Sequence, residues 1–263
     1  MRPCTVLRVF TRGEEGGNHL GVIADVMGLD DATMQRIATG LGFSETVFLD
    51  WNKGEVPLAR IFTPATELPF AGHPLVGTAW FLATVAPLSP GAIACALGQV
   101  TYGMARGEAW VDVTFPEEVT VADDGPDLAA AAKLAVPERA WWVEIGNRYL
   151  VLEYRDEADV AGAAPDLGPL TGDFGVYLVA RRGDRAKVRF FATGLGVAED
   201  PATGSAAVSL AAVRRFEGED HGALRIDQGD EIGAPSTIQL RWGPKGTSIG
   251  GRVMMDERRV LDD

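Results

Sequence analysis

His73-Pro74-Leu75-Val76-Gly77-Thr78-Ala79 and Asp200-Pro201-Ala202-Thr203-Gly204-Ser205-Ala206 are two versions of one pattern. Each reads as a polar residue, proline, two spacers, glycine, a hydroxyl residue and alanine, and an apolar run follows. The copies begin at positions 73 and 200, which lie 127 residues apart in a chain of 263. Repetition over about half of a chain is typical of two similar domains that face each other across a cleft. The pattern therefore predicts a duplicated fold, divided into residues 1–118 and 119–263, with a shared site.

Strands around an apolar helix are predicted in each half. Pro74–Val85 and Pro201–Phe216 are apolar on nearly all sides, which is typical of helices enclosed by other elements. The alternating runs Thr5–Phe10 and Ser44–Leu49 predict strands. Glycines that punctuate the last strands indicate bends in a strongly curved sheet. We therefore expect a curved sheet around a central helix in each half.

Helix boundaries are predicted at two further places in the first half. Asn18, after two glycines, suits a helix N-cap. Asp30 or Asp31 begins a helix whose apolar face ends before Gly42.

The composition is that of a soluble enzyme-sized protein and excludes two classes of partner. The chain is 46% hydrophobic and carries a formal net charge of −13. Proteins that bind nucleic acid or anionic membranes normally present a clustered basic face, so neither partner is expected. An anionic substrate must then be held by local groups.

Cysteine content and hydropathy indicate a cytoplasmic location. The two cysteines, Cys4 and Cys95, lie in apolar segments and are predicted to be reduced core thiols. They lie 91 residues apart, by subtraction of their positions, so they do not occupy equivalent places in the two halves and a two-cysteine epimerase mechanism is excluded. No signal peptide is recognisable, and the longest apolar run, Leu75 to Leu88, is too short to cross a bilayer.

The twin motif predicts two anion-binding helix starts. Gly77-Thr78 and Gly204-Ser205 place exposed backbone amides in the first turn of a helix, where partial positive charge attracts anions. The alternative is that these glycines only allow close packing, which for Gly77 is equally compatible with the sequence. Asp200-Pro201 alone is compatible with a simple helix cap, whereas histidine at position 73 is a poor cap and indicates another role.

Glu45 lies in an alternating strand on the same face as Val47 and Leu49. Burial of a carboxylate disfavours its charged form and raises its pKa, which suits a group that takes and returns a proton near neutral pH. An edge-strand glutamate that reaches solvent is the alternative, and the strand pattern alone leaves both open.

Other chemistries find no support in the sequence. The three histidines, His19, His73 and His221, lack metal-ligand spacing, so no metal site is expected. No nucleophile elbow, phosphate-binding loop or dinucleotide fingerprint is present, and no cofactor is expected. Carboxylates, an imidazole and backbone amides remain, and these groups suit proton transfer at carbon.

The chain resembles the phenazine biosynthesis PhzF-like family over essentially its whole length. The resemblance rests on motifs that occur in the right order: Gly17-Asn18, Ser44-Glu45-Thr46-Val47-Phe48, Ile61-Phe62-Thr63-Pro64, Glu67 to Pro74, Glu199 to Ala206, and Gln228-Gly229. It implies an α+β fold similar to diaminopimelate epimerase, with two pseudo-symmetric domains, each a curved, barrel-like β-sheet around a central helix. The last strand is expected to be able to pair back with the first half.

The resemblance also implies roles for individual residues. Glu45 is the expected general acid and base, with His73 and Asp200 beside the reacting atoms. The residues assigned to substrate binding are Gly72, Gly77, Thr78, Gly204, Ser205 and Asn18. Family members are usually homodimers that need neither metal nor organic cofactor. His19 departs from the family, which commonly has proline there, and is expected to reshape one wall of the cleft.

The sequence thus predicts a cofactor-independent isomerase or epimerase that moves a proton on a small substrate bearing a carboxylate. The alternative is a catalytically inactive small-molecule-binding protein on the same scaffold. A racemase with two proton-transfer groups is less favoured, because only Glu45 is a clear candidate.

Overall fold

The computed structural model describes residues 1–51, 56–86, 91–115, 117–170, 172–195 and 197–261. In these ranges the α-helices are α1 (Asp31–Leu41), α2 (Gly72–Thr84), α3 (Gly125–Ala131), α4 (Glu157–Ala161) and α5 (Gly204–Phe216). None of them is long and apolar enough to cross a membrane.

Strands make up most of the regular structure. Those of the first half are β1 (Arg2–Val9), β2 (Asn18–Ile23), β3 (Glu45–Asp50), β4 (Leu58–Phe62), β5 (Glu67–Leu68), β6 (Ala92–Cys95), β7 (Gly98–Ala105) and β8 (Glu108–Val113). Those that follow are β9 (Glu118–Val121), β10 (Arg139–Ile145), β11 (Asn147–Tyr154), β12 (Gly175–Arg182), β13 (Arg185–Ala192), β14 (Val197–Asp200), β15 (Gly222–Gln228), β16 (Ser236–Gly243), β17 (Gly246–Gly251) and β18 (Val253–Leu261).

The pairing of strands in the first half recurs nine strands later. In the first half β2 lies parallel to β3 and β4 parallel to β6, while β1–β2, β3–β4, β6–β7 and β7–β8 are antiparallel. In the second half β11–β12 and β13–β15 are parallel, and β10–β11, β12–β13, β15–β16 and β16–β17 are antiparallel. The duplication predicted from the sequence would produce this recurrence.

The strands of the two halves are joined by pairs in which each strand comes from a different part of the chain. Strand β18 pairs with β1, β17 pairs with both β16 and β8, and β9 pairs with β10. Hydrogen bonds therefore run continuously from one sheet into the other. The division between residues 118 and 119 stays a prediction.

Helices α2 and α5 are enclosed by these sheets. Helix α2 contacts strands β1, β2, β7 and β8, and α5 contacts β9, β10, β11, β16 and β17. Both carry apolar or small residues on nearly every side, so burial of the whole helix surface is favourable. The α+β class with curved sheets and a central helix in each is confirmed by this arrangement.

Both central helices begin at a glycine, and the predicted starts are wrong. Helix α2 begins at Gly72 rather than Pro74, and α5 begins at Gly204 rather than Pro201. Asp200 is not a cap: it ends strand β14, and Thr203 holds the N-cap position of α5. The proline in each motif therefore does not mark equivalent positions of the two helices.

The two helix starts touch each other through their backbones. A Cβ atom at Gly72 would lie 2.4 Å from the Gly204 carbonyl carbon, and one at Gly204 would lie 2.9 Å from the Gly72 carbonyl carbon. Both distances are below van der Waals contact, so only glycine fits at either position.

The predicted caps of helix α1 and the predicted state of the cysteines are confirmed, whereas the predicted role of Asn18 as a helix cap is wrong. Helix α1 has Asp30 as its N-cap and Gly42 in the left-handed conformation as its C-cap, as predicted. Asn18 is not a helix cap, because it begins strand β2. Cys4 and Cys95 are buried free thiols, as expected.

Candidate active site

A cavity of about 420 Å³ lies where the two halves meet. Its walls come from strands and loops of both halves: Glu45, Thr63, Glu67, Leu68, Pro69 and Ala71 from the first, and Glu144, Gly146, Asn147, Arg148, Tyr149, Asp173, Gly175, Phe190, Ala192, Val197, Asp200, Thr203 and Ser205 from the second. A shared cleft was predicted, and the cavity has residues of both halves in its wall.

Glu45 is the first residue of β3 and lies beside Leu20 of the parallel strand β2. Its strand neighbours on the same face, Val47 and Leu49, are fully buried, as the alternation predicts. The Glu45 side chain is 14% exposed, and its Oε2 atom accepts no hydrogen bond from the residues that the structure describes. Burial, together with the negative charge of Asp200, raises the pKa of the Glu45 carboxyl well above its ordinary value.

His73 lies directly behind Glu45. It is the second residue of α2 and is 2% exposed. Its Nδ1 atom lies 3.3 Å from Glu45 Oε2 and 3.3 Å from Asn18 Nδ2. Burial lowers the pKa of His73 to about 3, although a hydrogen bond with the His19 backbone opposes the shift. The imidazole is therefore neutral at physiological pH and gives Glu45 no counter-charge, although Nδ1 is close to Oε2.

Asp200 faces Glu45 from the end of β14 and is 5% exposed. Its carboxylate accepts hydrogen bonds from Asn18 Nδ2 at 2.8 Å and from Thr203 Oγ1 at 2.6 Å. Burial raises the pKa of Asp200, while hydrogen bonds from Thr203, Ser44 and Asn18 act against the rise. Two acidic groups with raised pKa values thus share one cavity.

The loop between β14 and α5 is fixed by a glutamine from β15. Gln228 Nε2 donates to the Asp200 carbonyl at 2.8 Å, and its Oε1 accepts from the Thr203 backbone amide at 3.1 Å. Gln228 is fully buried. These bonds hold both Asp200 and the N-terminus of α5 in place.

The charge of the site is unusual for a buried region. The cavity wall carries five carboxyl groups and one cation, which is Arg148. Glu67 is paired with Arg60, at 2.6 Å between Oε2 and Nη2. In the described part of the chain, neither Glu45 nor Asp200 forms an ion pair with lysine or arginine. Protonation is then the route by which these two groups lower the cost of burial.

Seven of the nine residues predicted for the site lie in it or beside it, in three kinds of position. Glu45, Asp200 and Ser205 line the cavity. His73 and Asn18 lie behind the wall, in hydrogen-bond range of Glu45 or Asp200. Gly72 and Gly204 form the contact between the helix starts, next to the cavity-lining residues Ala71 and Ser205.

The remaining two, Gly77 and Thr78, do not lie in a first helical turn. They are the sixth and seventh residues of α2, and a Cβ atom at Gly77 would lie 2.4 Å from Leu20 and 2.9 Å from Val9. The predicted anion-binding helix start at Gly77 is therefore wrong, and close packing explains this glycine. His19 is also not at the cleft, because its ring stacks on Phe43 and contacts Asp256.

Asn147, Tyr149 and Thr203 line the cavity and were not among the predicted residues. Thr203 lies within the second motif, where its hydroxyl is a donor to Asp200. The pair Gly146-Asn147 repeats Gly17-Asn18 after 129 residues, by subtraction of positions 17 and 146. That repeat was the signal that pointed to the start of β11.

No group of three or more His, Cys, Asp or Glu side chains in the described ranges is placed to hold a metal ion. Proton transfer by the carboxyl groups themselves is the chemistry that the arrangement can support.

A sequence model for the phenazine biosynthesis-like proteins, PhzC-PhzF, matches residues 7–256. The chain belongs to this family. It is 32% identical to a trans-2,3-dihydro-3-hydroxyanthranilate isomerase of Pseudomonas chlororaphis, over 92% of this chain and 90% of the relative. It is 34% identical to an uncharacterised isomerase of Mesorhizobium japonicum, over 94% of each protein. The predictions of the family and of an isomerase are thus confirmed.

Solved structures agree with the fold. A predicted epimerase from Pseudomonas aeruginosa is 30% identical and superposes with a TM-score of 0.84 over 99% of both chains. A hydroxyproline epimerase of Agrobacterium vitis, at 12% identity and a TM-score of 0.66 over 98% of this chain and 93% of that one, shares the fold. The expected relation to epimerase-like folds is therefore confirmed.

Proposed function

We propose that this protein is a cofactor-independent isomerase or epimerase that moves a proton on a small substrate bearing a carboxylate. One observation carries the proposal: Glu45 is a nearly buried carboxyl group, without a cationic partner among the described residues, in the wall of a cavity between the halves. A structural carboxylate would be expected to have such a partner or several donors.

Proton transfer would proceed through Glu45. Its carboxylate takes a proton from a substrate carbon, and the same group returns the proton to another carbon or to the opposite face. The raised pKa of Glu45 brings it towards the range in which both steps are efficient. His73 and Asp200 hold and tune this group, and atoms and electrons balance without an external reactant.

Negative charge that develops on the substrate would be stabilised from the second half. Ser205 lies in the first turn of α5, where backbone amides carry partial positive charge. Arg148, which is the cation among the residues of the cavity wall, lies over the Trp142 ring and pairs with Glu144 at 3.6 Å. Both members of this long pair are about half exposed, so the substrate carboxylate would replace Glu144 as the partner of Arg148. A cavity of about 420 Å³ suits a small ring or a short chain.

Incubation in D2O tests the proposal directly. The first compound is trans-2,3-dihydro-3-hydroxyanthranilate, named for relatives of this chain, followed by a panel of small carboxylic and amino acids. We expect the wild-type protein to convert one of them with deuterium incorporation, detected by mass spectrometry. Glu45→Gln should lose this activity by roughly a thousand-fold, since general acid-base catalysis contributes about 10² to 10⁴.

Glu67→Gln is the matched control. Glu67 is also a carboxylate at the cavity, but Arg60 binds both of its oxygens. We expect this variant to retain activity within a few-fold. Deuterium incorporation at the wild-type rate by Glu45→Gln would refute the role of Glu45, and no conversion of any compound would favour the inactive binding protein.

A homodimer and a cytoplasmic location complete the proposal. Both come from the sequence and its resemblance to the family. Size-exclusion chromatography with light scattering measures the first, and fractionation of the source cells measures the second.

A further inference from the structure

The second half places a tyrosine where the first half has a leucine. Leu20, the third residue of β2, pairs with Glu45 of β3. In the recurring arrangement, Tyr149 is the third residue of β11 and pairs with Gly175 of β12. The second half thus lacks a counterpart of the Glu45 carboxyl group and instead presents a phenol from the neighbouring strand.

Tyr149 is buried in the wall of the same cavity. It is 3% exposed, and its ring packs against Phe190 with a centroid distance of 6.1 Å. Burial, with a contribution from the Glu45 charge, raises the pKa of Tyr149 to about 12. The phenol therefore keeps its proton at neutral pH and is a hydrogen-bond donor.

The hydrogen bonds around the phenol oxygen leave this donor available. Asn147 Nδ2 donates to Tyr149 Oη at 3.3 Å and to the Phe70 carbonyl at 2.9 Å. The Ser205 side chain is a second hydrogen-bond partner of Tyr149. The Asn147 amide nitrogen can only donate, and the Ser205 hydroxyl carries a hydrogen of its own, so the phenol hydrogen can turn to a ligand in the cavity.

We propose that Tyr149 is a second catalytic residue of this site, which donates a hydrogen bond to the substrate oxygen that becomes negative when Glu45 removes the proton. The step is a hydrogen bond only: the electron pair of the broken C–H bond moves towards that oxygen, Glu45 holds the proton, and the pair returns when the new C–H bond forms. Asn147 positions the phenol by bridging it to the segment before α2. The inference rests on the proposed function.

Tyr149→Phe removes the hydroxyl group and preserves the ring. With the compound that the wild type converts, we expect kcat to fall about 100-fold, which is typical for loss of one donor to a developing oxyanion, with KM within about three-fold. Tyr177→Phe is the matched control. Tyr177 is fully buried, and its ring also packs on Phe190, with a centroid distance of 6.2 Å. Its hydroxyl has no hydrogen-bond partner among the described residues, and Tyr177 is not part of the cavity wall.

The control should retain wild-type kcat. Unchanged kcat in Tyr149→Phe, or an equal loss in Tyr177→Phe, overturns the proposal. Asn147→Ala tests the positioning role: it should lower kcat in the wild type but add less than about two-fold in the Tyr149→Phe background. Losses that multiply would show that Asn147 does not act through the phenol.

A binding experiment separates this inference from the proposed function. Isophthalate, a small planar ring with two carboxylates, is titrated calorimetrically into wild type, Tyr149→Phe and Tyr177→Phe at pH 7. One carboxylate takes the place of the substrate carboxylate, and the other puts a negative oxygen where the substrate oxygen becomes negative. We expect binding to weaken about ten-fold in Tyr149→Phe alone, since a hydrogen bond to a charged group is lost. This result supports the phenol as a donor even if no compound is turned over. Equal affinities, or no binding by the wild type, overturn it.

Discussion

The two ends of helix α5 treat buried charge in opposite ways. At its C-terminal end Arg214 is 2% exposed and pairs with Glu153 at 2.8 Å and Glu217 at 3.1 Å. At its N-terminal end Asp200 and Glu45 share a cavity without a lysine or arginine bound to either of them in the described ranges. The same helix thus separates a neutralised network from an uncompensated one.

This contrast distinguishes paired charges that stabilise the fold from the unpaired carboxyl groups to which we assign the proposed chemistry. Arginines in the last turn of α5 also interact favourably with the helix dipole. The carboxyl groups at the first turn have raised pKa values, so their ionisation opposes folding. We expect mutations of the paired charges at the C-terminal end to lower stability. Mutations of the carboxyl groups at the N-terminal end should lower activity, and removal of the Glu45 charge should raise stability.

The largest effect on stability is expected at the neutralised end. Arg214→Ala leaves the buried Glu153 with the half-exposed Arg139, at 2.9 Å, as its cationic partner among the described residues, and should lower the free energy of unfolding by about 3 kcal/mol, measured by urea denaturation. Arg215→Ala is the control. Arg215 pairs with Glu117 nearer the surface and should cost about 1 kcal/mol or less. Equal losses for the two variants would contradict the contrast.

Activity should respond next, at the other end of the helix. In the native protein Asn18 Nδ2 and Thr203 Oγ1 each donate to one oxygen of the Asp200 carboxylate. Asp200→Asn replaces one of these oxygens by an NH2 group, so one of the two donors then faces another donor. We expect kcat/KM to fall about 100-fold, or about 2.7 kcal/mol at 1.36 kcal/mol per decade. Asp230→Asn, which disturbs a surface pair with Arg12, should have little effect on kcat/KM. A similar loss in both variants would speak against a specific role of Asp200.

The pH dependence of stability is the third measurement. The folded-state pKa of His73 is lowered to about 3, so below its ordinary value of 6.5 the unfolded state binds more protons. Stability from this group is full above pH 6.5 and is lost as the pH falls towards 3, by about 1.4 kcal/mol per pH unit. Subtracting the profile of His73→Gln from that of the wild type should isolate this slope, and a flat difference would contradict it.

The smallest effect is a gain in stability. The Glu45 pKa is raised in the folded state, so the folded state binds more protons, and stability is lost as the pH rises above the ordinary value of 4.5. Glu45→Gln removes this loss, so its Tm should exceed that of the wild type by a margin that grows as the pH rises from 4.5 through the folded-state pKa of Glu45. Glu153→Gln, at the neutralised end, should lower Tm. A lower Tm for Glu45→Gln would show that its charge is compensated in solution.

Features set by short-range pattern were predictable from the sequence. Alternation placed Glu45 on the buried face of β3, and Asp30 and Gly42 gave the limits of α1. Uniformly apolar composition identified α2 and α5 as enclosed helices. Each of these depends on neighbours within a few residues, and the physical cause is local.

Features set by contacts across the chain were not predictable. Asp-Pro indicates a helix start, but Asp200 ends strand β14, where it pairs with Phe190 of β13. Its carboxylate accepts from Asn18, which is 182 residues away in sequence. Matching the motifs letter by letter paired Gly77 with Gly204, whereas the structure sets Gly72 against Gly204. Tyr149 was missed because its importance depends on the pairing of β11 with β12.

The backbone contact between Gly72 and Gly204 fixes how closely the N-termini of α2 and α5 approach each other. Any side chain there would push the two helix origins apart, and Glu45 would move away from Asp200 and Ser205 without itself being altered. The width of the cavity therefore depends on the absence of a side chain at both positions, and even a single methyl group at either one would force the two halves to separate there.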